Sequence, residues 1–292
     1  MADKEFKTIE QQLDILESRG LQISNKAVAE NFLYRNNYYR VSGYSLTLRS
    51  HDAFSHGANF QDIVDIYEFD RALRHILLKY IEIIEVTVKS VYSYEFTKVY
   101  GALGHYDPAN FTDNAIHADI MRKAEVQKNS RLSHEPYLKH FVNELQQDLP
   151  LWAFVDLLTI SNISFMYKIS QPVIKLAVAN SLGLLKRGDK ILERFMHHMT
   201  IIRNLCAHGS RLYNRLFEQK PWLSKRERML LITLPDGTMD NSHLYGFILI
   251  MLRLFKPSEF SEMKSEIIAL TKIYPFVDMH YYGFREDWVS VL

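Results

Sequence analysis

The sequence predicts an all-α protein, and three observations carry that reading. The chain of 292 residues has only 11 Gly and 8 Pro, too few turn formers for a β-sandwich. Residues 62–100 contain neither, and there Ile63, Tyr67, Leu73, Ile76, Leu77, Tyr80, Ile81, Ile84, Val88, Val91 and Tyr92 recur at helical spacing. The breaks elsewhere fall where helix caps belong. Hydrophobic residues make up 47% and charged residues 24%, the balance of a globular chain rather than a disordered one.

Taken in order, Thr8 with Gln11 forms a capping box for a helix that runs to Gly20. Ser24 or Asn25 caps a second helix through about Tyr34. The tyrosine-rich NNYYRVSGYSLTLRS then reads as a short hairpin or an extended loop. After a break at 57–60 comes the long helix, about 58 Å at 1.5 Å per residue, a backbone for shorter ones. Residues 101–150 begin loop-rich at GALGHYDP and turn helical towards 141–147. LPLWAFVDLLTISNISFMYKI reads as one apolar central helix. Gln171-Pro172 opens the next, and Gly188-Asp189 opens one that reaches about Cys206. Ser242 starts a helix to Phe255, and Pro257-Ser258 one to about Ile273; the aromatic tail YPFVDMHYYGFREDW docks on the body. The chain divides into a small N-terminal helical module over 1–60, a helical core over 61–230 and a C-terminal helical extension over 231–292.

On the long helix, Asp70 and Arg74 stand at i,i+4 on the apolar stripe and can pair. Glu85 falls between Ile81, Val88 and Tyr92. A carboxylate there needs a cation or an escape to water. With no partner expected four residues away, its cation is expected from another helix, and Arg203 is the candidate.

Several function classes drop out. Cys206 is the single cysteine, so there is no internal disulfide and no multi-cysteine zinc site. It falls on a buried helix face and reads as a structural thiol. His134-Glu135 is followed by Pro136 and next by His140, not the H-E-x-x-H of a zinc site, so no metal or cofactor is expected. The apolar run over 244–255 is 12 residues and contains Arg253, short of the ~20 a membrane span needs. MADKEFKTIEQQ has no apolar signal core, and a reducing cytoplasm is the expected location.

Net charge is +1, but it is unevenly spread. Residues 186–228 hold eleven basic and four acidic side chains, a net +7 against −6 for the rest. A basic segment on a near-neutral chain points to a polyanion. Inside it lies TIIRNLCAHGSRLYNR. Ile191, Phe195, Met199, Ile202 and Cys206 form the buried face of that helix, and His197, Asn204 and His208 the polar one. Asn204 and His208 are i,i+4 neighbours whose amide and imidazole can meet. Arg203 points about 140° away from His208 on a regular helix. Either the helix end re-aims His208, or the two work across a subunit interface.

These residue types suit RNA. Arginine forks onto phosphate. Histidine can exchange a proton with the 2′-OH or the leaving 5′-oxygen near neutral pH. An asparagine amide can orient either. Arg211, Tyr213, Asn214 and Arg215 follow as candidate RNA contacts or motif support. Tyr38, Tyr39, Arg40 and Tyr44 could stack bases and hold phosphate, or form a packing seam.

RNLCAHGSRLYNR closely resembles the RN-x-x-AH-x-x-R-x-x-N segment of the Abi-like abortive-infection proteins of AbiD/AbiF type. FKTIEQQLDILESRGL, FLYRNNYYRVSGYSL, YEFDRALRHILLKYIEIIEVTVKS and LPLWAFVDLLTISNISFMY resemble other stretches of that family in order, over about residues 5–220. The resemblance implies a HEPN-like helical bundle, usually dimeric, and a metal-independent ribonuclease using R-x4-6-H. Arg203, Asn204 and His208 take the catalytic positions. It implies RNA cleavage with 2′,3′-cyclic phosphate ends and antiphage or toxin-like growth arrest. Some relatives associate with small non-coding RNAs, so a non-catalytic RNA-binding protein is the alternative. Gly209 departs from the family, which often has His there.

Overall fold

A computed structural model describes residues 5–292. It is an all-α bundle. Its helices are α1 (Ile9–Ser18), α2 (Lys26–Asn36), α3 (Tyr38–Ser42), α4 (Phe60–Tyr100), α5 (Asn114–Arg131), α6 (Pro136–Leu138), α7 (Leu151–Phe154), α8 (Ile160–Ile169), α9 (Pro172–Ser181), α10 (Gly188–Ala207), α11 (Lys225–Arg228), α12 (Leu244–Met251), α13 (Pro257–Ile273) and α14 (Trp288–Val291). No helix among the described residues is long and apolar enough to cross a membrane.

α4 is the axis of the bundle. The Asn59–Asp62 capping box starts it, and Gly101, at φ 77°, follows its end. Its stripe of Leu73, Leu77, Tyr80, Ile81, Ile84, Val88, Tyr92 and Phe96 is buried. α8, α9, α10 and α13 pack on it. The expected caps at Thr8 and Asn25 and the helix start at Gln171-Pro172 hold, and α13 spans its expected residues. The aromatic tail docks as expected, burying Tyr282, Phe284 and Trp288.

Five local readings change. The helix expected from Ser242 to Phe255 is shorter, α12 over Leu244–Met251. The tyrosine-rich segment is mainly helical. Asn37 ends α2 at φ 65° and caps α3 by accepting from the Tyr39 N–H at 2.8 Å. Only β1 (Arg49–Ser50) and β2 (Ala53–Phe54) form a hairpin. Much of 101–150 is α5, capped by Asp113 and buried only along His117, Ile120 and Ala124, a stripe too thin to show as apolar periodicity. The central apolar stretch is broken, because the Thr159 hydroxyl accepts from the Asn162 N–H at 3.2 Å and starts α8 afresh. Arg187, left-handed at φ 53°, rather than Gly188 precedes α10.

Candidate functional site

α10 buries Ile191, Phe195, Met199, Ile202 and Cys206 as their spacing predicts. Burial pushes the Cys206 thiol up to about 12, which leaves it without nucleophilic thiolate. The helix ends in a Schellman turn. The Gly209 N–H donates to the Cys206 carbonyl at 3.1 Å, and the Ser210 N–H to the Leu205 carbonyl at 2.8 Å. Gly209 takes the left-handed position of that turn at φ 64°, which explains glycine there. A Cβ on it would lie 3.2 Å from the Arg40 guanidinium, which donates to the Gly209 carbonyl.

His208 caps α10 with near-helical torsions, φ −89° and ψ 9°. The chain therefore turns after the imidazole, and the divergence from Arg203, roughly 140° around the axis, persists within one chain. Asn204 and His208 are exposed, and Arg203 is half-buried. The Asn204 side-chain carbonyl accepts from Arg203 at 3.3 Å; among the described residues it makes no bond to the His208 ring. Arg203 lines a cleft of about 600 Å³ with Glu82, Glu85, Lys89, Trp152 and Asp156, while Asn204 and His208 stand outside that lining. Glu85 finds its cation on its own helix, not on Arg203: Lys89, at i+4, lies 3.0 Å away.

Beyond the turn, Arg211 donates to the carbonyls of Tyr213 and Asn214, and Arg215 donates to the Arg211 carbonyl at 2.9 Å. Burial and the neighbouring Arg211 charge lower the Arg215 pKa from its ordinary value. Both guanidiniums brace the loop while staying half-buried. Asn214 is left-handed at φ 47°. Tyr213 is 2% exposed, with its hydroxyl 2.8 Å from that of Thr47, so it packs the loop and presents no ring to solvent. Of the tyrosine-rich candidates, Tyr39 is 86% exposed and Tyr44 is fully buried; Tyr38 is half-buried and Arg40 exposed.

The expected Asp70–Arg74 pair forms, and it is the centre of a larger network. Asp70 has no exposed surface. It accepts from the Tyr44 hydroxyl at 2.8 Å, the Tyr282 hydroxyl at 2.9 Å, and the backbone N–H groups of Leu212 and Tyr213 at 3.2 and 2.9 Å. Burial pushes the Asp70 carboxyl up, against the pull of Arg74 and the hydroxyl and N–H donors. The network joins the N-terminal module, α4, the loop after the motif and the C-terminal tail. Spacing shows the Asp70–Arg74 pair; nothing local in the sequence shows the other partners, which lie 26 to 212 residues from Asp70.

The basic segment is electrostatically open. Among the described residues, none of its eleven cations makes an ion pair. Two of its four carboxylates, Glu193 and Glu227, are taken by Lys175 and Arg253 from outside it. Among the described residues, no group of three or more His, Cys, Asp or Glu could hold a metal ion.

A family model described as Abi-like protein matches residues 31–214, from α2 to the loop that Asp70 holds. No curated protein and no solved structure matches the chain.

Proposed function

The chain belongs to the Abi-like protein family, whose role in abortive infection that membership supports, and from this premise we propose a metal-independent endoribonuclease of the HEPN type. It acts on RNA in the cytoplasm, as a homodimer, and arrests growth of an infected cell. Arg203 holds the non-bridging oxygens of the scissile phosphate, and Asn204 steadies its guanidinium. One His208 imidazole takes the proton of the 2′-OH as the 2′-oxygen bonds to phosphorus. The bond from phosphorus to the 5′-oxygen breaks, and that oxygen leaves with a proton from the second copy's imidazole. The products are a 2′,3′-cyclic phosphate and a 5′-hydroxyl.

The observation that carries this reading is an arginine, an amide and an imidazole on the last turns of one helix, within a segment whose cations, among the described residues, have no carboxylate partners. The divergence of Arg203 and His208 within one chain favours a two-copy site. Exposed Val86 and Trp152 border the Arg203 cleft, an apolar rim suited to a second copy.

The test is purified protein on structured RNA in EDTA, beside His208→Ala. Cleavage that falls by about 10²- to 10⁴-fold in the variant supports the reading. Cleavage of RNA carrying deoxyribose at the cut position would sink it, because no 2′-OH is there to attack. The same open cations favour a second reading, a non-catalytic protein that holds a small non-coding RNA. Under it no sample is cut, and Arg203→Ala weakens binding and flattens its salt dependence.

A further inference from the structure

At ~100° per residue, Lys190, Arg194, His197, Asn204 and His208 lie within about 40° of a single line along α10. All five are exposed. The line runs 18 residues, about 27 Å at 1.5 Å each. It passes a second cleft, of about 660 Å³, lined in part by Phe165, Lys168, Arg194, His197 and Lys220. The buried His198 ring meets the Gln219 carbonyl and pins the 218–220 segment as the cleft's far wall. Two carboxylates also line it. Glu193 is bound to Lys175, which leaves Glu218 against the three cations. Phe165 is 41% exposed, with the Lys168 ammonium 5.8 Å from its ring centre.

We infer that this cleft is a second RNA subsite, which holds the strand flanking the scissile phosphate. A base stacks on Phe165 while Lys168, Arg194 and Lys220 take successive phosphates. The exposed line of α10 connects it to His208: from Arg194 that is 14 residues, about 21 Å at 1.5 Å each, or roughly six nucleotides at the stacked spacing of ~3.4 Å. The subsite gripping a single strand rests on the proposed RNA chemistry at Arg203 and His208, yet it makes its own prediction: affinity grows with RNA length because of residues remote from the motif.

The experiment compares a trinucleotide with a sixteen-nucleotide single-stranded RNA, binding to full-length protein across a salt series. The variants are Arg194→Ala with Lys220→Ala, and Phe165→Ala. The double variant weakens binding of the long RNA at least about tenfold more than that of the trinucleotide, and lowers its salt slope by about 1.4, at ~0.7 for each phosphate no longer neutralised. Phe165→Ala weakens the long RNA by about tenfold with little change in slope, as loss of one stacked base should. Restoring both charges with Arg194→Lys in the Lys220→Arg background recovers the slope.

Equal losses on both RNAs, or an unchanged slope, would overturn the subsite even if the wild type cleaves RNA. A wild type that never cleaves, but whose length dependence vanishes in the double variant, would overturn the nuclease and leave the subsite standing. Phe165→Ala binding as tightly as wild type would overturn the single-strand assignment.

Discussion

Asp70 and the 186–228 segment treat charge in opposite ways. Around Asp70, one buried carboxylate has Arg74, two tyrosine hydroxyls and two backbone N–H groups turned on it. In the segment, eleven cations stand without a carboxylate partner among the described residues, and two of its acids are occupied from outside. The first arrangement closes charge within the fold, where removing one partner strands another in a low dielectric. Apart from Arg211 and Arg215, which brace the loop, the second leaves charge open, where a polyanion can neutralise it. The difference separates charge that serves the fold from charge left available to a partner, and each side can be tested by a loss that the other should not suffer.

The largest expected loss is at the hub. Asp70→Asn removes the charge that Arg74 and four other donors face, at a cost of about 3–5 kcal/mol, read by urea unfolding. The cost should shrink in an Arg74→Met background, where no cation is left unpaired. A loss below about 1 kcal/mol would show that the hub does not hold the fold.

Next is the buried His105, whose ring packs 4.5 Å from that of Phe154. Burial lowers its pKa from 6.5 to about 4. The unfolded chain therefore takes up the proton first as pH falls. The stability from keeping His105 neutral is complete above about pH 6.5 and drains away between there and pH 4, by about 3 kcal/mol. His105→Gln, neutral throughout, should lose less stability between about pH 7 and 4.5 than the wild type does. Parallel pH profiles would rule His105 out as the source.

The two regions also differ in how far the sequence reveals them. The buried face of α10 follows from 3.6-residue spacing, and so do the exposed positions of His197, Asn204 and His208, because one amphipathic helix dictates both. The Asp70–Arg74 pair is readable for the same reason. Lys89, the partner of Glu85, is equally readable at i+4, so the expectation of a cation from another helix fails on a rule the sequence itself supplies. Tyr44 and Tyr282 reach Asp70 across 26 and 212 residues, and no periodicity encodes such pairings. Tyr213 shows the same limit: its basic neighbours suggest an RNA contact, but its backbone N–H is claimed by Asp70 and its ring is drawn inside. Charge imbalance in the 186–228 segment is legible by counting. Which acids within it are already occupied is visible only in three dimensions.

A smaller effect tests the hinge between scaffold and site. Gly209→Ala forces a side chain into φ 64° beside Arg40, and should cost about 1–2 kcal/mol. Because Gly209 closes the turn after His208, a nuclease should also lose rate beyond what that destabilisation explains, even in the cold where the variant stays folded. A thermal shift with full RNA cleavage would mean that the turn serves the fold alone.

The smallest expected effect separates the two regions most sharply. Lys225 and Arg226 are exposed and, among the described residues, have no carboxylate partner. Exposed cations that satisfy no one in the fold should cost nothing to remove, so Lys225→Ala with Arg226→Ala should leave stability within about 0.5 kcal/mol of wild type. Relief of like-charge repulsion could even raise it slightly at low salt. RNA affinity is the discriminating readout. If these cations belong to the polyanion surface, the double variant lowers the salt slope of RNA binding while its unfolding curve stays in place. If affinity and slope are both unchanged, the surface is confined to α10 and the cleft beside Phe165, and the charge on α11 is only solvated. A stability loss of more than about 1 kcal/mol would contradict the division itself, because it would mean that these cations were serving the fold all along.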